Sequence, residues 1–151
     1  MLSARTETTV LAPVPIDEEA RRTAQIYAAN GEPLTMQAAG CFTGRTNDKE
    51  TSTVGNTLYT FYTVVAWCAS GNTVTSASLR DAGGETQTPG WRYEGVTASD
   101  GGVVANEARA YASHRFILGA GPWDVITADE CLRARRTADG TGLSDRTCGI
   151  F

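Results

Sequence analysis

The sequence predicts a mainly β protein: an antiparallel sandwich of about seven strands with two disulfides, one short helix and an N-terminal extended arm. Three observations support this. From residue 34 onward, turn clusters recur at short intervals: Thr46-Asn47-Asp48-Lys49, Ser70-Gly71-Asn72, Asp81-Ala82-Gly83-Gly84, Ser99-Asp100-Gly101-Gly102, Gly119-Ala120-Gly121-Pro122 and Asp139-Gly140. The runs between them are rich in Thr, Val, Tyr, Phe and Trp, which suit a pleated surface. Four cysteines lie within those runs, and Cys131 and Cys148 are placed symmetrically about Asp139-Gly140, a strong hairpin-turn signal.

The elements follow in order. Residues 1–9 are polar, and Val10, Leu11, Pro13, Val14, Pro15 and Ile16 come next. Two prolines with β-branched neighbours favour an extended or polyproline II path, and a proline cannot donate to a ladder. The stretch reads as a tether or a docking peptide, and these six residues are the candidate partner-binding set. Residues 17–30 read as the helix. Asp17 suits the N-cap, Glu18 and Glu19 complement the positive end of the dipole, and Asn30-Gly31 with Pro33 stops it. Ile16, Ala20, Ala24 and Tyr27 form only a thin apolar stripe, so such a helix must pack on something to persist. Strands are expected near 36–45, 56–68, 73–80, 91–97, 108–118, 123–136 and 145–150. The strongest, Thr57 to Cys68, is apolar on both faces, as a covered central strand should be. The chain thus divides into an arm with a short helix, 1–33, and a β-sandwich domain, 34–151.

Four cysteines allow three pairings. Cys41 and Cys68 are equidistant from the Val54-Gly55-Asn56 turn, so a first hairpin bridged like the last would join Cys41 to Cys68 and Cys131 to Cys148. The nested alternative, Cys68 to Cys131 and Cys41 to Cys148, would resemble the inter-sheet bridge of immunoglobulin domains, with Trp67 beside it. Either pairing implies an oxidising compartment and a secreted protein. The N-terminus lacks the basic region and apolar stretch of a signal peptide, so a secreted chain is expected here in its mature form, the rival reading being a cytoplasmic protein with four free thiols or a phage structural protein assembled inside the cell.

A length of 151 residues suits one domain able to bury a sizeable core. The net charge of −4 argues against nucleic acid as the main partner, and no run of 18 apolar residues offers a membrane-spanning helix.

No catalytic motif stands out. The one histidine, His114, would have to serve any Ser/His/Asp triad. Its neighbour Ser113 points to the opposite face of a strand and cannot be its partner, so a structural or merely exposed histidine is the simpler reading. One histidine and bridged cysteines leave no nitrogen–sulfur metal set, and no Asp-Gly turn has the acidic spacing of a calcium loop. Asp129-Glu130 would lie on opposite strand faces, and Asp17-Glu18-Glu19 is explained by the helix dipole, so paired-carboxylate hydrolysis is not expected. Tyr59, Phe61 and Trp67 share a face, as do Trp91 and Tyr93. Exposed, they could stack on sugars, but core packing is the simpler reading. No enzyme, cofactor or metal is expected.

The run Val64 to Ser76, containing Trp67-Cys68, Gly71 and Val74-Thr75, followed by Trp91-Arg92-Tyr93-Glu94-Gly95, resembles a group of small secreted bacterial β proteins. Their pattern is Trp-x-Cys or Trp-Cys, a Gly turn with Val-Thr, then Trp-x-Tyr-x-Gly, and the match covers roughly residues 57–97. Some members are similar to the small adaptor subunit of umbrella toxin particles, in which a compact β domain with an N-terminal extension links a lectin-bearing, protease-like subunit to a repeat-built stalk. The resemblance implies a non-enzymatic connector in an extracellular complex. The chain is also similar to secreted subtilisin inhibitors, which are small, have two disulfides and often end in an apolar Phe, as Cys148-Gly149-Ile150-Phe151 does. Their reactive-site loop has no counterpart here. The expected partners are other secreted proteins, with a protease inhibitor or a carbohydrate-binding module as alternatives.

Overall fold

The structure is a computed structural model and describes residues 3–17, 19–22 and 39–151. Two antiparallel sheets form a sandwich. The first holds β1 (Ser3–Val10), β2 (Val14–Pro15), β3 (Ala39–Ser52), β4 (Thr57–Ser70) and β5 (Thr73–Thr86) in the order β1-β3-β4-β5, with β2 also on β3. The second holds β6 (Trp91–Val104), β7 (Glu107–Ala120), β8 (Trp123–Arg136) and β9 (Gly142–Asp145) in that order. From β3 onward every strand pairs with its sequence neighbour except at the step from β5 to β6, where the chain changes sheets.

The six central strands are 14 residues each, roughly 46 Å at the usual rise. Several expected strands are therefore too short, because three Gly- or Asp-bearing clusters read as turns lie inside strands. Asn47 and Asp48 face Tyr62 and Phe61, Gly83 and Gly84 face the same two residues from the other side, and Gly101 faces Ala110. Glycine is tolerated mid-strand where another group approaches closely. A Cβ on Gly101 would lie 2.6 Å from the Leu79 backbone nitrogen on β5. The true turns include Gly71-Asn72, Ala105-Asn106 and Gly121-Pro122. Ala105 and Asn106 both have positive φ, 51° and 57°, a hairpin turn that alanine does not advertise. Asn106 stitches two hairpin ends together: its side chain accepts from the Val74 amide at 2.9 Å and donates to the Asn72 carbonyl at 2.8 Å.

Both disulfides take the sequential pairing, Cys41–Cys68 and Cys131–Cys148, and no cysteine is free. Cys41 faces Cys68 directly across β3 and β4, as the turn symmetry requires. The second bridge is reached differently. The expected strand over 145–150 is absent, and β9 ends at Asp145. The register is also one residue off: Arg133 faces Asp145 and Arg136 faces Gly142, so Cys131 has no facing partner on a strand. The cause is the loop, which is longer than two residues. Thr137 donates to the Thr141 carbonyl, the Gly140 amide donates back to Thr137, and Gly140 takes φ +87°. Cys148 reaches Cys131 from the segment that follows the strand.

The core has two parts. In one, Phe42 and Trp67 stack with ring centroids 5.6 Å apart and pack on Ala108, Ala110 and Ala134 of the second sheet. Large rings from one sheet meet alanines from the other, so the layers interdigitate. In the other, Tyr59 stacks on Phe116 at 3.9 Å, with Leu58, Phe61 and Leu132 around them and Trp91 and Tyr93 packed alongside. The grouped aromatics are therefore core, as the simpler reading held.

Residues 19–22 are helical, and 23–30, the rest of the expected helix, lie outside the described residues. Asp17 caps as expected: Oδ1 accepts from the Ala20 amide at 2.8 Å. Its other oxygen accepts from the Cys41 amide at 3.1 Å, tying the helix start to β3.

Candidate functional site

The arm lies along β3. Residues 3–9, whose composition is polar, form β1 together with Val10 and pair antiparallel with Thr46–Ser52. Thr6, Thr8, Thr9 and Val10 carry strand propensity that the polar composition masked. The ladder continues past the prolines on the flanking amides: Leu11 donates to the Arg45 carbonyl at 3.0 Å and Ile16 to Cys41 at 2.9 Å. Pro13 and Pro15, which have no N–H to give, sit between them half-buried.

The candidate partner-binding residues are displayed. Val10, Leu11, Val14 and Ile16 are 37%, 39%, 57% and 37% exposed. Val10 lies against Gly142 of β9, and the next residue, Leu143, is itself exposed. No local pattern marks Leu143, because only tertiary packing brings β9 beside β1.

A buried arginine holds the arm in place. Arg136 is 1% exposed. Its Nη2 donates to the Leu11 carbonyl at 2.6 Å and to the Arg45 carbonyl at 3.4 Å, and its Nη1 donates to Gly140 at 3.2 Å. The guanidinium lies 5.8 Å from the Trp67 ring centroid, and no carboxylate partners it among the described residues. Gly44 makes the room: a Cβ there would lie 2.5 Å from Arg136 Nε. Burial alone pulls this guanidinium below its ordinary range.

A second cation, Arg146, a third of whose side chain is exposed, closes the C-terminal segment over buried carboxylates. After β9, Arg146 turns inward, with Nε 2.6 Å from Asp48, Nη2 2.9 Å from Glu50 and Nη1 3.6 Å from Glu130. Glu130 also accepts from the Tyr59 hydroxyl at 2.8 Å. Burial pushes the carboxyls of Asp48 and Glu130 above the usual range, against the pull of Arg146. The chain then returns outward through Cys148 to Cys131. Arg109 and Arg133 donate to the Ile150 and Phe151 carbonyls at 2.9 and 3.1 Å. This C-terminal strap thus joins both sheets.

His114 is fully buried. Its Nδ1 is 3.0 Å from the Tyr93 hydroxyl and its Nε2 is 3.3 Å from Thr63 Oγ1. Burial first, and the Arg146 charge second, lower it to about 4, so it is neutral at pH 7. Ser113 faces Cys131 from the other side of the strand, while Asp129 pairs with Arg115 at 2.8 Å and Glu130 with Arg146. The structure thus brings none of these groups together as a nucleophile with a base. No set of three metal-ligating side chains converges among the described residues, and no helix among them is long and apolar enough to cross a membrane.

One sizeable groove crosses the outer face of the first sheet, with a volume of about 640 Å³, and Glu7, Arg45, Asn47, Thr60 and Tyr62 are among its lining residues. These residues are spread over β1, β3 and β4, so nothing in the linear sequence groups them. Phe151, noted in the sequence as an apolar C-terminal residue, is 91% exposed, and Trp123, which sequence reasoning did not single out, is 74% exposed. Comparison with protein-family models, with curated proteins and with solved structures finds no match to this chain.

Proposed function

We propose that this protein is a non-enzymatic adaptor of an extracellular complex, joining other secreted subunits through its β domain and N-terminal arm. One observation carries the reading: the arm is fixed in an extended conformation yet presents Val10, Leu11, Val14 and Ile16 to solvent. A preorganised extended segment loses little entropy on docking, and apolar side chains held on a sheet edge are the usual anchors for an incoming chain. The two disulfides are compatible with an oxidising compartment. A protease-like or lectin-bearing subunit is the partner type that the resemblance to toxin-particle adaptors suggests.

The test is a pull-down from the secreted fraction of the producing organism, using full-length protein and the double variant Val14→Asp/Ile16→Asp as baits. Both substituted side chains are exposed, so the variant should melt with the wild type. Wild-type bait should recover defined secreted proteins that the variant loses. Equal recovery by both baits removes the arm from the binding site. Recovery of an active protease that the bait inhibits supports the inhibitor reading instead.

A further inference from the structure

We infer that the groove on the outer face of the first sheet is a second binding site, and that its ligand is an uncharged carbohydrate chain. The register lays out two straight cross-strand rows. Glu7, Lys49, Thr60 and Glu85 face one another in turn across four strands, and Thr9, Asn47, Tyr62 and Gly83 do so in the next row. All eight line the groove. Four strands span three spacings, roughly 14 Å, the reach of a short oligosaccharide laid across the sheet. Gly83 makes room at the far end of its row for the Tyr62 phenol. A Cβ there would lie 2.7 Å from Tyr62 Oη, so only glycine lets the phenol lie over β5, where it meets Asp81 at 3.3 Å.

Two features select the ligand class. The first is charge. Arg45 and Lys49 are matched by Glu7 and Glu85, and Lys49 Nζ already sits 3.2 Å from Glu7; the fifth charged lining residue, Asp48, is buried and paired with Arg146 at 2.6 Å. A groove balanced in this way has no net attraction for a polyanion or a polycation. The second is unspent hydrogen-bonding capacity. Asn47 Oδ1 accepts from Arg45 Nε at 2.7 Å, which leaves its amide NH₂ to give. One Glu85 oxygen accepts from Gln87 at 3.0 Å and the other remains. Among the described residues the hydroxyls of Thr9 and Thr60 have no partner. Donors and acceptors thus alternate along the floor, and a sugar hydroxyl is both at once. The Tyr62 ring is capped by Arg45, whose guanidinium carbon lies 3.8 Å from its centroid. Recognition therefore runs through hydrogen bonds to the two rows, not through an aromatic platform; of the other aromatics that line the groove, Phe61 is buried and Tyr93 is partly buried against the core.

The groove takes Glu7 and Thr9 from β1 of the arm but none of the apolar residues of the proposed adaptor surface. Full-length protein is applied to an array of neutral glycans (linear glucans, mannans and chitin oligosaccharides) and acidic ones (uronate-bearing and sulfated). Binding is expected on neutral glycans and should be insensitive to added salt. The variant Asn47→Ala/Thr60→Ala should lose about tenfold or more in affinity for the bound glycan, the equivalent of one or two hydrogen bonds, at an unchanged melting temperature. Val14→Asp/Ile16→Asp should bind that glycan as the wild type does. The inference is overturned by the absence of binding to any neutral glycan, by binding confined to acidic glycans and lost in salt, or by full retention of binding in the Asn47/Thr60 variant.

Discussion

His114 shows how a residue that could signal catalysis is used for structure. Both ring nitrogens are spent on Tyr93 and Thr63, and burial keeps the ring neutral. Its folded value, about 4, lies below the unfolded value of about 6.5. The unfolded chain therefore binds the proton first as the pH falls. The stability that the neutral ring contributes is complete above about 6.5 and is lost as the pH drops toward 4. The two raised carboxyls, Asp48 and Glu130, act in the opposite sense, since the native state takes up their protons first. The wild-type curve mixes the two effects, but a difference separates them. The stability gap between wild type and His114→Gln should shrink by roughly 3 kcal/mol between pH 7 and pH 4. Urea unfolding of both proteins across that range measures it, and a constant gap would show that the histidine does not titrate in this way.

At the scale of elements, the C-terminal strap matters most. Residues 146–151 form no strand, yet they carry Arg146 into a site holding three carboxylates and anchor Cys148 to Cys131. Removing Arg146 leaves carboxylates that are largely buried without their cation, so the strap stabilises the sandwich beyond its own small area. The disulfide closes a sequence separation of 17 residues. The double variant Cys131→Ser/Cys148→Ser should lose about 3 kcal/mol, mainly through a less restricted unfolded state. Amide exchange should also rise along the strap while β3–β4, held by Cys41–Cys68, stays protected. Exchange rising evenly over the whole molecule would instead mean that the strap is not a separate unit.

For the whole molecule, the position of the arm changes what truncation does. β1 is the edge strand of the first sheet, and the Leu11 carbonyl is the shortest contact of buried Arg136. Deleting residues 1–16 bares the β3 edge and leaves part of that guanidinium without a partner. An unpaired edge recruits other chains. The truncated protein should melt lower than the full-length protein and self-associate, as seen by calorimetry and light scattering. A monomeric product melting at the full-length temperature would mean that the arm adds nothing to the fold. This is why point substitutions at Val14 and Ile16, and not truncation, test partner binding cleanly.

The sequence by itself determined the class of the fold, because strand propensity, turn chemistry and binary pattern are local properties. It also determined the helix start at Asp17, the burial of the aromatic face of β4 and the apolar character of the arm, and it offered Cys41–Cys68 as one of two pairings between which the structure decides. The turn symmetry that placed Cys41 opposite Cys68 holds because β3 and β4 pair without irregularity between that bridge and Glu50. The same logic at Asp139-Gly140 named the right cysteines by the wrong geometry, since a longer loop shifts the register and the strap makes up the distance. Strand lengths were misjudged where glycines serve close packing between strands, a cause invisible in a linear reading. The cation under the arm, the carboxylates around Arg146 and the two rows of the groove were decided only by the tertiary structure. Each joins residues far apart in the chain, and no local pattern encodes which strand a side chain will meet across a sheet or between sheets.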